Sequence, residues 1–148
     1  TQLQDELDIN IRLKLIGASK DLILTSNIEI IQWTQETEIK NICSFDIGVM
    51  PLFDSNFEKG KCGYKIIQYF ACRKPVLASP VGVNCSIIKP GTNGFLCETH
   101  EEWYNHLKYL ILDKSLREKL GVEGFELIKE HYTYQAQYLN IVTELKLL

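Results

Sequence analysis

A basic excess is missing from this chain. It carries 16 Lys and Arg against 19 Asp and Glu, for a net charge of −3. That removes the broad electrostatic footprint of a nucleic-acid binder, although a local cluster of lysines can still hold a small anion. Long apolar runs are missing too. None approaches the roughly 20 residues a membrane helix needs, and no signal peptide is visible. Five cysteines are present (Cys43, Cys62, Cys72, Cys85 and Cys97), but no pair shows the tight spacing of a zinc site or a redox motif. The odd count reads as reduced thiols in a cytoplasmic protein, buried for structural reasons. Cys62, in a glycine turn, is the one expected at the surface. His100, His106 and His131 are scattered without metal spacing and read as surface or capping residues. No Asp-x-Asp-like motif occurs, so no metal and no cofactor is expected. Repeats, low-complexity segments and internal linkers are likewise not found.

What is present is an ordinary globular composition. A chain of 148 residues suits one domain and can bury about 70% of the surface its unfolded form exposes. It therefore needs no disulfide or metal to fold. The opening "TQLQDELDIN" has no methionine and starts mid-pattern, as a piece of a longer chain would.

Strand and helix signals alternate. "IRLKLIG" (11–17) alternates in polarity and stops at Gly17, and "NIEIIQWT" (27–34) is a second β-rich run. Thr34 or Thr37 is placed to cap a helix reaching about Cys43. "FDIGVMPL" (45–52) is nearly all apolar, as a strand covered on both faces should be. The polar stretch "FDSNFEKGKCG" reads as a loop. From Tyr64 to Cys72, Ile66, Ile67, Phe70 and Ala71 share one helical face. Arg73 and Lys74 suit the negative end of that helix, and Pro75 forbids its continuation. "PVLAS" (75–79) and "FLC" (95–97) are short strands, separated by turns and one helical turn at "CSII". Asn93 and Gly94 read as a structural turn. Beyond Thr99 or His100 the chain is helical, with Trp103, Leu107, Leu110 and Ile111 on one face. A break is expected near Gly121–Gly124, and Thr133 caps the last helix. Alternation of this kind predicts parallel strands joined by crossover helices. The fold class is α/β: a Rossmann-like open parallel sheet of about five strands, flanked by helices, with a helical C-terminal tail.

One stretch carries chemistry. "FEKGKCGYKIIQ" puts two glycines and three lysines between a strand and a helix. Ligands of open parallel sheets bind outside the carboxyl ends of the strands. Glycines there permit close backbone approach, and a helix N-terminus with flanking lysines suits a phosphate or pyrophosphate. The stretch is neither a G-x-G-x-x-G fingerprint nor a P-loop, and from spacing alone a solvated loop with ordinary turn glycines is an equal reading.

The run "FDIGVMPL…GKCGYKIIQYFACRKPVLASPVGVNCSIIKPGTNGFLCETHEEW" resembles the C-terminal domain of the group 1 glycosyltransferases (glycosyltransferase family four, GT-B architecture). Those chains read "aDvgvlPl", a glycine loop, "K-x-x-E-y-m-A-x-G-x-P-V-v-A", "g-x-N-G-f-l" and an "e-e-W" helix. The resemblance covers about residues 10 to 132, with the motifs in order. It implies that residues 1–148 form a single nucleotide-sugar-binding domain. This would be a fragment of a two-domain enzyme without its N-terminal acceptor domain and without the first strand of this domain. The donor's phosphates would lie over Gly60, Lys61, Cys62, Gly63, Tyr64 and Lys65, with Gln68 on the ribose. Many members carry glutamates at the positions of Gly60 and Gln68, and here neither is acidic. Glu58 lies close enough to substitute for the first by a loop shift. Lys61 or Lys65 would then neutralise the departing diphosphate. Gly82, Val83 and Asn84 form a turn that could touch the donor.

The implied function is the donor-binding half of a retaining glycosyltransferase. It would move a sugar from a nucleotide-diphosphate sugar to a polysaccharide or lipopolysaccharide acceptor, and the isolated piece would be inactive. The implied location is the cytoplasm, with peripheral membrane association of the full-length enzyme at the inner face. No nucleic-acid partner is expected. Two alternatives stay open: a degenerate, non-catalytic module for partner binding, and a nucleotide-sugar epimerase.

Overall fold

The computed structural model describes residues 2–19 and 26–146. The chain forms two compact units, one ending at Phe45 and the other beginning at Asp46.

The first unit holds helix α1 (Gln2–Leu7), strands β1 (Leu13–Ile16) and β2 (Ile28–Ile31), and helix α2 (Glu38–Cys43). β1 and β2 pair in parallel, Leu13 opposite Ile28 through Ile16 opposite Ile31. Both threonines expected near the start of α2 act there. Thr37 is the N-cap residue, but its side chain makes no cap bond. Thr34 instead accepts the Thr37 N–H through its hydroxyl (3.3 Å) and the Glu38 N–H through its carbonyl (3.0 Å).

The second unit is built on a three-stranded parallel sheet in the order β3 (Gly48–Met50), β4 (Val76–Ala78), β5 (Gly94–Leu96). Parallel neighbours cannot be joined by a tight turn. The connections are α3 (Asn56–Lys59) with α4 (Tyr64–Ala71), and α5 (Asn84–Ile87). Helices α6 (His100–Leu112), α7 (Lys114–His131) and α8 (Tyr134–Lys146) follow. The five expected strands are thus present, hydrogen-bonded as two ladders of two and three.

Strand β4 is central and wholly buried. Its alternation divides the core, because successive side chains of a strand face opposite ways. Val76 and Ala78 join Met50, Ile66, Phe70, Ile87 and Ile128, while Leu77 joins Cys97, Leu110 and Leu120. Ile66 and Phe70 are fully buried, as the helical spacing requires, but Ala71 is exposed. Its position lies one residue past the stripe.

Three further expectations are corrected. The stretch read as a loop contains the helical turn α3, nucleated by Ser55, whose hydroxyl accepts the Glu58 N–H (3.2 Å). The break expected at Gly121–Gly124 does not occur, and α7 runs unbroken from Lys114 to His131. Both glycines are buried and let α7 settle on α4. A Cβ at Gly121 would stand 2.1 Å from the Arg73 carbonyl oxygen, and one at Gly124 2.3 Å from the Phe70 ring. Finally, His106 is half-buried rather than superficial. It stacks on Phe95 with ring centroids 4.3 Å apart and meets the Cys97 sulfur at 3.6 Å.

Helix α4 ends in a Schellman turn made without glycine. The Arg73 N–H donates to Phe70 O (2.8 Å) and the Lys74 N–H to Tyr69 O (2.9 Å). Arg73 accordingly takes φ +54°, and its guanidinium lies over the Phe125 ring at 4.5 Å, an attraction that offsets part of the backbone strain. The caps of α6 and α8 are as expected. Thr99 and Glu102 form a full capping box, and Thr133 accepts the Ala136 N–H. The backbone N–H groups of Thr99 and Glu98 hold the Glu102 carboxyl below its ordinary value. Among the described residues no helix is long and apolar enough to cross a membrane.

Candidate functional site

The carboxyl ends of β3 and β4 open onto two connections, residues 51–63 and 79–84. Ser79 ties the two strand ends together. Its N–H donates to Met50 O (3.2 Å), and its hydroxyl accepts the Leu52 N–H (2.9 Å). The buried Asn84 donates to Ser79 O (3.0 Å) and so fixes the second connection to the same point.

Above this floor sits the glycine–lysine segment. Gly63 is the N-cap of α4 and has φ +69°, a conformation that costs a residue with a Cβ about 1–2 kcal/mol. It is also buried against the second connection. A Cβ there would stand 2.6 Å from Ile87 Cδ1 and 3.0 Å from Val83 Cγ1. Gly82 makes the reciprocal approach, where a Cβ would meet the Lys59 carbonyl oxygen at 2.7 Å. The segment from Lys59 to Gly63 is therefore locked onto the turn at Val81–Asn84. That turn was singled out in the sequence as a lesser candidate. Its packing against residues 59–63 depends on the room left at Gly82, which a linear pattern does not display.

The residues expected at the site differ in exposure. Gly60, Lys61, Cys62, Tyr64 and Lys65 are exposed, Gln68 is half-buried, and Gly63 lies beneath them. The lysines are engaged locally. Lys59 pairs with Asp54 at 2.7 Å, and Lys61 with Glu58 at 2.6 Å. Lys61 also stands 5.4 Å from the centre of the Phe57 ring. Lys65 donates to Gln68 Oε1 (2.9 Å), joining two expected contact residues on the flank of α4. Glu58 enters from α3, on the same turn as Gly60. The segment carries a helix start, an exposed thiol and three lysines, two of them paired with the carboxylates of Asp54 and Glu58. It provides positive charge and backbone donors for an anion and no acid–base pair. Among the described residues there is no cluster of His, Cys, Asp and Glu that could hold a metal.

The thiols do not match a uniformly buried set. Cys43, Cys62 and Cys85 are exposed, and Cys97 is buried. Burial, with the Glu102 charge adding to it, pushes the Cys97 thiol up to about 11, so it stays protonated and inert near neutral pH. Alkylation of the folded chain with iodoacetamide at pH 8 should label Cys43, Cys62 and Cys85 and spare Cys97. Peptide mass spectrometry checks this, and rapid labelling of Cys97 would contradict its place in the core.

A family model described as "Glycosyl transferases group 1" matches residues 1–113. The chain is 29% identical over 126 residues to a probable sucrose-phosphate synthase of Thermosipho melanesiensis. The match takes in 83% of this chain and 27% of that protein, so the chain spans about a quarter of its relative's length. Among solved structures, the C-terminal domain of the group 1 family glycosyl transferase LpcC from Francisella tularensis superposes with a TM-score of 0.62. It is 27% identical, and the match covers 76% of this chain and 57% of that one. A mutant of S. aureus TarM, crystallised with fondaparinux, alpha-GlcNAc-glycerol and UDP, superposes with a TM-score of 0.71. It is 21% identical, and the match covers 94% of this chain and 30% of that one. The parallel, helix-flanked sheets match the fold of these structures, and the expected helical tail is present in this chain.

Proposed function

This chain is a member of the group 1 glycosyl transferases, and on that premise we propose that it forms the donor-binding half of an enzyme that transfers a sugar from a nucleotide-diphosphate sugar. The carrying observation is Gly63, left-handed and packed, which caps the start of α4 two residues after Lys61 and two residues before Lys65. A helix start presents unpaired N–H groups and positive dipole charge. With lysines on both sides it suits a diphosphate. The presence of UDP in the TarM crystal supports the same chemistry.

In this reading the diphosphate lies over residues 60–65. Lys61 and Lys65 stabilise the negative charge that grows on the departing diphosphate, which is how fixed cations lower a transfer barrier. Gln68 hydrogen-bonds the ribose. With Gly60 and Gln68 where many relatives have acids, the loop's carboxylate nearest to Gly60 in the chain is Glu58. Retention at the transferred carbon, a polysaccharide or lipopolysaccharide acceptor and action at the inner face of the membrane belong to the same proposal. So does a second, acceptor-binding domain, without which this chain does not turn over.

Binding tests the reading directly. Ligand-observed NMR with UDP, GDP and ADP and with UDP- and GDP-sugars should show saturable binding of one base over the others. Lys61→Ala and Lys65→Ala should each weaken that binding by about 1–3 kcal/mol, the range for hydrogen bonds to charged groups. Bound nucleotide should also slow alkylation of Cys62 but not of Cys43. If neither lysine matters, the diphosphate does not lie on this loop. If no nucleotide binds, a degenerate binding module becomes the better account.

A further inference from the structure

The lysines of the loop are not equally held. Asp54 and Lys59 pair at 2.7 Å, but both side chains are open to water, at 69% and 53% exposed. Glu58 and Lys61 pair at 2.6 Å with the Glu58 side chain only 18% exposed. The backbone builds this second pair. Ser55 accepts the Glu58 N–H, the Gly60 N–H donates to Phe57 O (3.2 Å), and the Lys61 N–H donates to Glu58 O (3.1 Å). The turn sets the two charges face to face, and the Phe57 ring stands near the same ammonium group.

We propose that Glu58 is a specificity-determining residue: its carboxylate competes with the ligand for Lys61, so that the loop accepts a diphosphate and rejects a monophosphate. The proposal rests on the nucleotide-sugar reading above. An intramolecular carboxylate has a high effective concentration, because the chain has already met the entropic cost of bringing it close. A single phosphate that displaces it exchanges one anion for another and gains little. Two linked phosphates can take Lys61 and at the same time reach the start of α4 and Lys65. They gain contacts to both lysines and the helix start, while displacing one carboxylate, Glu58 from Lys61, and one neutral amide, Gln68 from Lys65. Glu58 thus sets a threshold in the number of linked phosphates, which the donor and the departing diphosphate both pass and a monophosphate does not.

The test is titration of the whole chain and its Glu58→Gln variant with inorganic phosphate, inorganic pyrophosphate, and the nucleoside mono- and diphosphate of the preferred base. Glu58→Gln should tighten phosphate and monophosphate binding on the order of fivefold, the upper range for a partly exposed ion pair. It should tighten pyrophosphate and diphosphate less, so that the preference for the diphosphate narrows. Asp54→Asn, at the more exposed pair, should leave the preference unchanged. Glu58→Asp keeps the charge but shortens the reach, and should give a smaller shift in the same direction. It serves as the test if the Gln variant is less well folded by urea titration. If Glu58→Gln binds every anion equally or more weakly while Lys61→Ala still weakens the diphosphate, Glu58 positions nothing of this kind and the donor reading stands. If wild type and variants bind no phosphate at all, the donor reading fails and this inference fails with it.

Discussion

Gly63→Ala is expected to destabilise the second unit by about 2–4 kcal/mol and to weaken nucleoside-diphosphate binding more than tenfold. Two costs add at this residue. A Cβ at φ +69° is strained wherever it points, and here it would also press on Ile87 and Val83 at 2.6 and 3.0 Å. Overpacking of a closed core costs about 1–3 kcal/mol. Relief requires α4 to move away from the turn at Val81–Asn84, and that movement carries Lys61, Tyr64 and Lys65 with it. Urea denaturation reads the stability, and the same NMR titration reads the affinity. Gly91→Ala is the control. It has a positive φ, +75°, with nothing within reach of the new methyl, so it bears the strain without the collision and should leave binding unchanged. Wild-type affinity in Gly63→Ala would show that the start of α4 does not contact the nucleotide.

The second large effect lies away from the loop. Gly121→Ala removes a glycine from inside a helix, which by propensity alone should stabilise α7 by about 1 kcal/mol. The opposite is expected, a loss of about 2–4 kcal/mol, because the new methyl would stand 2.1 Å from the Arg73 carbonyl oxygen. That oxygen is backbone, fixed by the Schellman turn at the end of α4, and cannot rotate aside. The helices must separate, which opens space around the fully buried Phe70. Gly124→Ala meets the Phe70 ring itself and should behave alike. The two are neighbours and should not add. Val122→Ala, at an exposed site on the same helix, should change stability little. A stabilised Gly121→Ala protein would mean that α7 does not pack on α4 as described.

These two glycines mark the boundary of what could be read without coordinates. Gly121 and Gly124 look like a helix break in the linear pattern, since glycine is a poor helix former. They are instead the places where a continuous helix touches another, a fact that depends on residues some fifty positions earlier in the chain. The same holds for Gly82, whose partner is the Lys59 backbone. Ser55 shows the reverse case. Its N-cap signal was legible in "DSNFEK" but was lost in a stretch whose polarity reads as loop. His106 and the exposed Cys43 and Cys85 were misjudged because composition carries no information on which face of a helix is covered.

Legible in the linear pattern were the five strands, helices α2, α4, α6 and α8, the caps at Thr99 and Thr133, the buried stripe of Ile66 and Phe70, and the placement of the glycine–lysine segment between β3 and α4. All of these depend on neighbours within about four residues, where periodicity, capping and turn chemistry act directly. Long-range packing settled that the strands form two ladders, that α7 does not break, and that residues 59–63 are locked onto residues 81–84. The folded chain likewise decided that Glu58 and Lys61 form the more shielded of the loop's two ion pairs. Those outcomes depend on how closely distant backbones approach and on which charges the solvent still reaches, and neither quantity exists until the chain has folded.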